Sequence, residues 1–157
     1  MDSNYPLLSA PLHQAAKGGC DLELVTHMIE GGGNTPVWPV NVLDGMGQVP
    51  LHSAAANRCP FHGPAILEYL ISMGGDVNAK DSEVGETPLH IASSQGLKMH
   101  VELLLEHGAN PVATNDAGET PLDLATKADI KTMLEAAEEE RRIRLGLAPV
   151  PLIQEPL

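Results

Sequence analysis

Aromatic side chains are scarce in this chain. Of its 157 residues one is tryptophan, one phenylalanine and two are tyrosine, or 3% together. β-Sandwiches use aromatic and β-branched residues heavily, whereas small side chains suit closely packed helices. The length is enough for one compact domain or a short repeat array. We therefore expect a single folding unit of an all-α or helix-turn repeat class.

Basic residues are also few, with 9 Lys and Arg against 21 Asp and Glu, for a formal net charge of −12. Up to Thr126 the cations are Lys17, Arg58, Lys80 and Lys98. Such a surface repels phosphate backbones and anionic lipid, which speaks against nucleic-acid and membrane-surface roles. A neutral or basic protein is the partner that this charge favours.

Cysteine and long apolar runs are nearly absent. Cys20 and Cys59 are the two cysteines, too few for the disulfide framework of a secreted mini-domain, so we expect reduced thiols. The first residues lack the pattern of a secretory signal, and no apolar run approaches membrane-spanning length. The expected location is cytoplasmic or nuclear, or inside a soluble intracellular assembly.

The chain does contain an internal repeat. Pro-Leu-His occurs at 11–13, 50–52 and 88–90, and Pro-Leu-Asp follows at 121–123. The spacings are 39, 38 and 33 residues, and small residues, an apolar-periodic stretch and a glycine follow each copy. Such self-similarity is the signature of a repeat architecture.

The third copy shows why the repeat is a pair of helices. Thr87 is a good N-cap, and Pro88 at the first helical position loses no needed N–H. Ala92 leaves room for a neighbouring repeat, and the apolar residues within 101–105 form a buried stripe. Gly108 can adopt the left-handed conformation that ends the second helix.

This pattern resembles the ankyrin repeat, in which Thr-Pro-Leu-His opens a first helix and a glycine precedes a β-turn finger. The resemblance covers about residues 9–137 and implies an all-α ankyrin-repeat solenoid with β-turn fingers. The expected organisation is an N-terminal extension 1–8, a repeat domain 9–145 with repeats at about 9–43, 44–82, 83–116 and 117–145, and a Pro-rich extended tail 146–157.

Two insertions break the period. From Gly31 to Pro50 is 19 residues, against 13 from Gly108 to Pro121, so the first finger is six residues too long. From Pro50 to Gly74 is four residues more than the corresponding 20 of the first and third copies, which enlarges the interhelical loop around 57–64. Because irregular additions cost folding entropy, they often mark binding regions, and we expect both to face the partner.

Histidines and the loop cysteine are the residues that could suggest chemistry. The resemblance implies that His13, His52 and His90 hydrogen-bond to the backbone and tie neighbouring repeats together. Cys59 and His62 have ligand-like spacing, but no second pair follows to complete a zinc site. No nucleophile elbow, phosphate loop or dinucleotide fingerprint occurs. We expect no catalytic residue, no metal and no cofactor.

Ankyrin proteins bind partners through finger tips and exposed first-helix positions, and the resemblance carries these roles to matching residues here. Trp38 leaves two alternatives open, since it could fold back onto the first helix pair or contact a partner. The candidate partner contacts are Lys17, Trp38, Val40, Leu43, Asn57, Arg58, Phe61, Lys80, Asp81, Glu83, Ser94, Gln95, Asn115 and Asp116.

The tail after Gly146 is expected to be extended, because prolines interrupt it throughout. It either docks on a partner or folds over the last repeat, and its candidate docking residues are Val150, Leu152, Ile153 and Leu157.

The function predicted is a non-catalytic protein–protein interaction module that acts as a soluble adaptor or regulatory binder. A constitutive accessory subunit of a large assembly is the alternative, and an enzyme ranks third.

Overall fold

The computed structural model describes residues 11–18, 20–32 and 37–147. Over these ranges the chain forms eight helices in four successive pairs, with no β-strand, which confirms the predicted all-α solenoid. The helices are α1 Pro11–Gly18, α2 Leu22–Glu30, α3 Pro50–Ala55, α4 Gly63–Ser72, α5 Pro88–Ser94, α6 Lys98–Glu106, α7 Pro121–Leu124 and α8 Ala128–Arg144.

The first helix of every pair begins at the repeated proline. At α5 the His90 side chain folds back, and its Nδ1 accepts hydrogen bonds from the N–H and hydroxyl of Thr87. At α3 the Nδ1 of His52 accepts the N–H of Val49, so the helix start keeps a cap although valine replaces threonine. The histidine therefore satisfies one of the backbone donors that a helix start leaves free.

Two layers of helices make the stack. Helices α1, α3, α5 and α7 pack in sequence as the inner layer, and α2, α4, α6 and α8 lie behind them. Four residues after each repeated proline stands a buried alanine, which lets the layers approach closely: Ala15, Ala54, Ala92 and, directly after α7, Ala125. Between the layers lie fully buried leucines, so most of the core is formed between neighbouring repeats.

The three fingers are turns closed by the same hydrogen-bonding pattern. Asp44, Asp81 and Asn115 each accept backbone N–H groups of their own turn on the side-chain oxygen Oδ1. Successive tips are also joined, since the Ser82 N–H donates to Met46 O at 3.1 Å and the Asp116 N–H to Val84 O at 2.9 Å. The fingers therefore form a continuous ridge beside the inner helices.

The repeat histidines bridge each inner helix to the next finger. Nε2 of His13 donates to Gln48 O at 2.7 Å, Nε2 of His52 to Glu86 O at 3.0 Å, and Nε2 of His90 to Glu119 O at 3.0 Å. This confirms the structural role expected for the three imidazoles.

A disulfide joins Cys20 to Cys59, which corrects the expectation of reduced thiols. The two cysteines follow Pro11 and Pro50 by the same nine positions, so they occupy equivalent sites in consecutive repeats. Stacking brings their Cα atoms to 5.8 Å, a separation that a disulfide spans. Their 39-residue spacing, which equals the repeat spacing, was the signal available in the sequence.

The last pair differs from the others. Helix α7 has only 4 residues. Helix α8 has 17 residues and is much longer than α6, which has 9. In the part of the chain that the structure describes, no helix is long and apolar enough to cross a membrane.

Candidate functional site

Two equivalent asparagines show where in the sequence the six extra residues of the first finger are inserted. Asn41 Nδ2 donates to Gly74 O and its Oδ1 accepts the Asp76 N–H, and Asn78 makes the same two bonds to Gly108 and Asn110. The two asparagines are therefore equivalent. From Gly31 to Asn41 is ten residues, against four from Gly74 to Asn78, so the insertion falls between Gly31 and Asn41.

The described part of this segment, from residue 37 onward, contacts the first helix pair. The Trp38 N–H donates to Met28 O at 2.9 Å, and the half-buried side chains of Trp38 and Val40 pack against the hydrophobic core. Leu43, beside the turn itself, is 63% exposed. Of the apolar candidates in the finger, Leu43 is the one that the fold leaves at the surface.

The second insertion is the loop between α3 and α4, residues 56–62, and its first half is fixed to the first repeat. Asn57 Nδ2 donates to Ala16 O at 2.7 Å, and Asn57 Oδ1 accepts the Cys59 N–H at 2.8 Å. Asn57 is 1% exposed, which corrects its prediction as a partner contact. Phe61 in the second half is 84% exposed.

Two finger residues predicted as contacts are also buried. Burial raises the pKa of Asp81, but hydrogen bonds from the N–H groups of 84, 85 and 86 and from the Gln48 amide outweigh it, and the net pKa is lowered. Asn115 accepts N–H groups of its turn and donates to Glu119 Oε2 at 3.0 Å. Both side chains hold the turns in shape, which corrects the prediction that they contact a partner.

The other candidates on the fingers and inner helices remain accessible. Lys80 is exposed, and its ammonium donates to Thr114 O in the next finger at 2.6 Å. The hydroxyl of the exposed Ser94 donates to Ile91 O at 3.0 Å. Glu83 and Asp116 are exposed at the finger tips.

An inner groove brings three of the predicted contacts together at the ends of the first helices. The groove has a volume of about 540 Å³ and is lined by Gln14, Lys17, Gly18, Ala56, Arg58 and Gln95. The Nε of Arg58 donates to the side-chain oxygen of Gln95 at 3.1 Å, which orients the guanidinium. No carboxylate is among these lining residues.

Gln14, Gly18 and Ala56 are the groove residues that the sequence did not lead us to predict, and Gly18 directly follows Lys17. Gln14 precedes Lys17 by three positions on α1 and so shares its face, while Ala56 follows Pro50 by the six positions that separate Lys17 from Pro11. Helix periodicity and repeat register together could have found them.

A second groove lies on the outer side, between α6 and α8, with a volume of about 630 Å³. None of the predicted contacts lines it, and its walls carry Glu102, Glu106, Glu140, Arg141 and Arg144. Both signs of charge are present there.

Two further predictions concern metal and the tail. Among the described residues no group of three or more His, Cys, Asp and Glu could hold a metal ion. The candidate docking residues Val150, Leu152, Ile153 and Leu157 lie outside the described ranges.

The sequence of this helical array matches a known protein family. A family model described as "Ankyrin repeats (3 copies)" matches residues 59–139, about half of the chain. The chain belongs to the ankyrin-repeat family. In this ankyrin-repeat chain, helices α1, α2 and α3 precede the matched range.

Relatives of this ankyrin-repeat chain include much longer proteins. It is 37% identical over 99 residues to "Putative E3 ubiquitin-protein ligase XBAT34" of Arabidopsis thaliana, covering 62% of the chain and 22% of that protein. It is 37% identical over 115 residues to palmitoyltransferase AKR1 of Lachancea kluyveri, covering 73% and 14%. It is 37% identical over 66 residues to the ANK repeat-containing protein nipk-1 of Caenorhabditis elegans, covering 41% and 10%. The chain thus matches about a fifth or less of each relative.

Proposed function

We propose that this chain is a non-catalytic protein-interaction module that acts as a soluble adaptor or regulatory binder. The observation that carries the proposal is the inner groove, where Lys17, Arg58 and Gln95, all predicted as contacts, line one concavity. Stacking itself does not require these side chains, since the buried alanines and leucines form the core.

The enlarged loop supports a partner-facing role. The array can connect two helices with three residues, as at 95–97 between α5 and α6, so the four extra residues after α3 are not needed to join the two helices. They present Phe61, an exposed aromatic side chain of the kind enriched in protein interfaces. We include Phe61 and the finger residues Leu43, Lys80, Glu83 and Asp116 in the proposed partner surface, with Ser94 at its edge.

For Trp38 and Val40 we propose two roles, one in covering the first helix pair and one in contacting a partner. Their packing against the core supports the role of a lid over the first helix pair, and their partial exposure leaves surface for a partner. For the tail, both sequence-based alternatives stay proposals: docking on a partner through Val150, Leu152, Ile153 and Leu157, or covering the last repeat.

Overall charge bears on the choice of partner. At −12 the chain repels strongly acidic proteins at long range, so we propose a partner that is neutral or basic overall, with no role for nucleic acid or membrane. The relatives named as a ubiquitin ligase and a palmitoyltransferase match this chain over its repeats. If the chain is part of such a longer protein, we propose that its array holds the partner.

Cellular location remains a proposal that the disulfide sharpens. Cytosolic and nuclear thiols are kept reduced, whereas disulfides persist in oxidising compartments. A cytoplasmic or nuclear location, or one inside a soluble intracellular assembly, therefore requires Cys20 and Cys59 to be reduced there or bridged on oxidation. Alkylation of cell extracts at once after lysis, followed by mass spectrometry of the two cysteines, tests whether Cys20 and Cys59 are reduced or bridged in the cell.

The main experiment compares partner capture by matched variants of the full chain. Phe61→Ala and Leu43→Ala should each lower the amount of co-purified partner several-fold, because both side chains lie on the proposed surface. Met99→Ala is the control, since Met99 is 57% exposed on α6 in the outer layer. Equal capture by all three variants and the parent chain would count against the proposed surface.

Size-exclusion of native extract separates the two functional alternatives. An adaptor or regulatory binder leaves a free pool of the chain, whereas a constitutive accessory subunit elutes at high mass alone.

A further inference from the structure

The inner groove concentrates positive charge on an acidic protein. Lys17 and Arg58 are the only lysine and arginine in the first 79 residues of the sequence, and both line this one groove. Among the described residues, neither Lys17 nor Arg58 forms an ion pair with a carboxylate. The groove is thus locally opposite in sign to the chain.

Arg58 is held in place from both sides. The preceding residue, Asn57, donates to Ala16 O at 2.7 Å, and the following residue, Cys59, is bonded to Cys20. Its own Nε donates to Gln95, which leaves the terminal amino groups for another acceptor. Fixing the backbone and one edge of the guanidinium in advance lowers the entropy that a ligand must offset on binding.

The remaining lining residues suit a polypeptide. Gly18 and Ala56 add little bulk, and the amides of Gln14 and Gln95 provide donors and acceptors of the type that pair with peptide groups. We propose that the inner groove binds a segment of the partner by a carboxylate side chain, with Lys17 and Arg58 as its two cationic contacts. This inference rests on the proposed function and specifies the partner's contact chemistry.

A carboxylate fits better than a phosphate. A phosphorylated side chain carries a charge of about −1.5 to −2, whereas a carboxylate carries one negative charge. Every added negative charge is opposed by the field of a chain whose net charge is −12. A partner that is neutral or basic overall and presents one acidic side chain therefore meets both the long-range and the local requirement.

The test uses short random peptides displayed on phage, selected against the intact disulfide-bonded chain and against the Lys17→Gln/Arg58→Gln double variant. Both substitutions are at exposed side chains, and thermal melts should confirm that the variant is folded. We expect Asp or Glu at a fixed position among peptides selected on the parent chain, and loss of that preference on the double variant.

Fluorescence anisotropy with a selected peptide then isolates the charge pair. Changing its acidic residue from Glu to Gln should weaken binding to the parent chain about tenfold and binding to Arg58→Gln much less. Lys131→Gln is the control, because Lys131 is an exposed lysine on α8 outside the groove, and it should bind like the parent.

Three outcomes would overturn the inference: no enrichment of acidic residues, equal binding of the acidic peptide to the double variant, or tighter binding of a phosphoserine peptide than of the Glu peptide. Its failure is distinct from failure of the proposed function. If Phe61→Ala lowers partner capture while the groove variants do not, the interaction surface stands and the acidic contact is wrong.

Discussion

Cys20 and Cys59 occupy equivalent positions in two consecutive repeats, and the disulfide between them joins the interhelical loops of the first and second helix pairs. A repeat array holds each unit mainly through its neighbours, so a covalent link between the first repeat and the second restrains the terminal first repeat. It also anchors the enlarged loop that carries Arg58 and Phe61.

Removing the disulfide should destabilise the first two repeats. The bridged residues are 39 apart, and closing a loop of that length in the unfolded chain corresponds to roughly 4 kcal/mol in the chain-entropy model. Urea unfolding of the parent with and without a reductant measures the change. Cys20→Ser/Cys59→Ser should unfold at the same urea concentration in both conditions, and an equally stable reduced parent would contradict the prediction.

Replacing a repeat histidine should cost stability in proportion to the bonds it makes. His52→Ala removes the bonds to Val49 N and Glu86 O and leaves the buried N–H of Val49 without its acceptor, whereas Glu86 O keeps the N–H of Asp81, so a loss of about 1–3 kcal/mol is expected. Chemical denaturation measures it. His107→Ala is the control, because His107 is exposed at the end of α6, and similar losses for the two variants would show that the bridge contributes little.

Acid should weaken the fold through His100. Burial lowers the pKa of His100 to about 4, from an ordinary value of 6.5. Between these values the unfolded chain binds a proton at His100 that the folded chain does not. The free energy of unfolding is therefore unaffected by His100 titration above pH 6.5, and it falls by roughly 2–3 kcal/mol as the pH is lowered towards 4.

His100→Leu isolates this contribution from that of the acidic residues. Stability measured by urea unfolding at several pH values should fall less steeply for the variant between pH 6.5 and 4. Parallel curves for variant and parent would mean that His100 titrates normally.

Trp38→Ala should lower stability, because the substitution removes the buried half of the indole ring, which packs against the core at the first helix pair. Full burial of tryptophan is associated with losses of about 3–5 kcal/mol on truncation, so about 2 kcal/mol is expected for this half-buried side chain. Thermal unfolding and partner capture should be measured on the same variant. An unchanged melt with weakened capture would assign Trp38 to the partner surface alone.

The sequence by itself determined the repeat and its helices. Proline, histidine and small residues recur at fixed spacings, and each acts locally, by starting a helix, capping it or making room for a neighbour. For that reason helices α1, α3, α5 and α7 begin at the repeated prolines, and the four-residue enlargement of the loop after α3 could be counted in advance.

Tertiary structure decided which residues of different repeats meet. Asn57, Asp81 and Asn115 are polar loop residues by sequence, and their burial depends on backbone groups that the fold directs at them. The six extra residues of the first finger could be counted but not positioned until Asn41 was seen to match Asn78. Lys17 and Arg58 are 41 residues apart in the sequence, and they share a groove because the repeats stack side by side, a packing relation that no local propensity encodes.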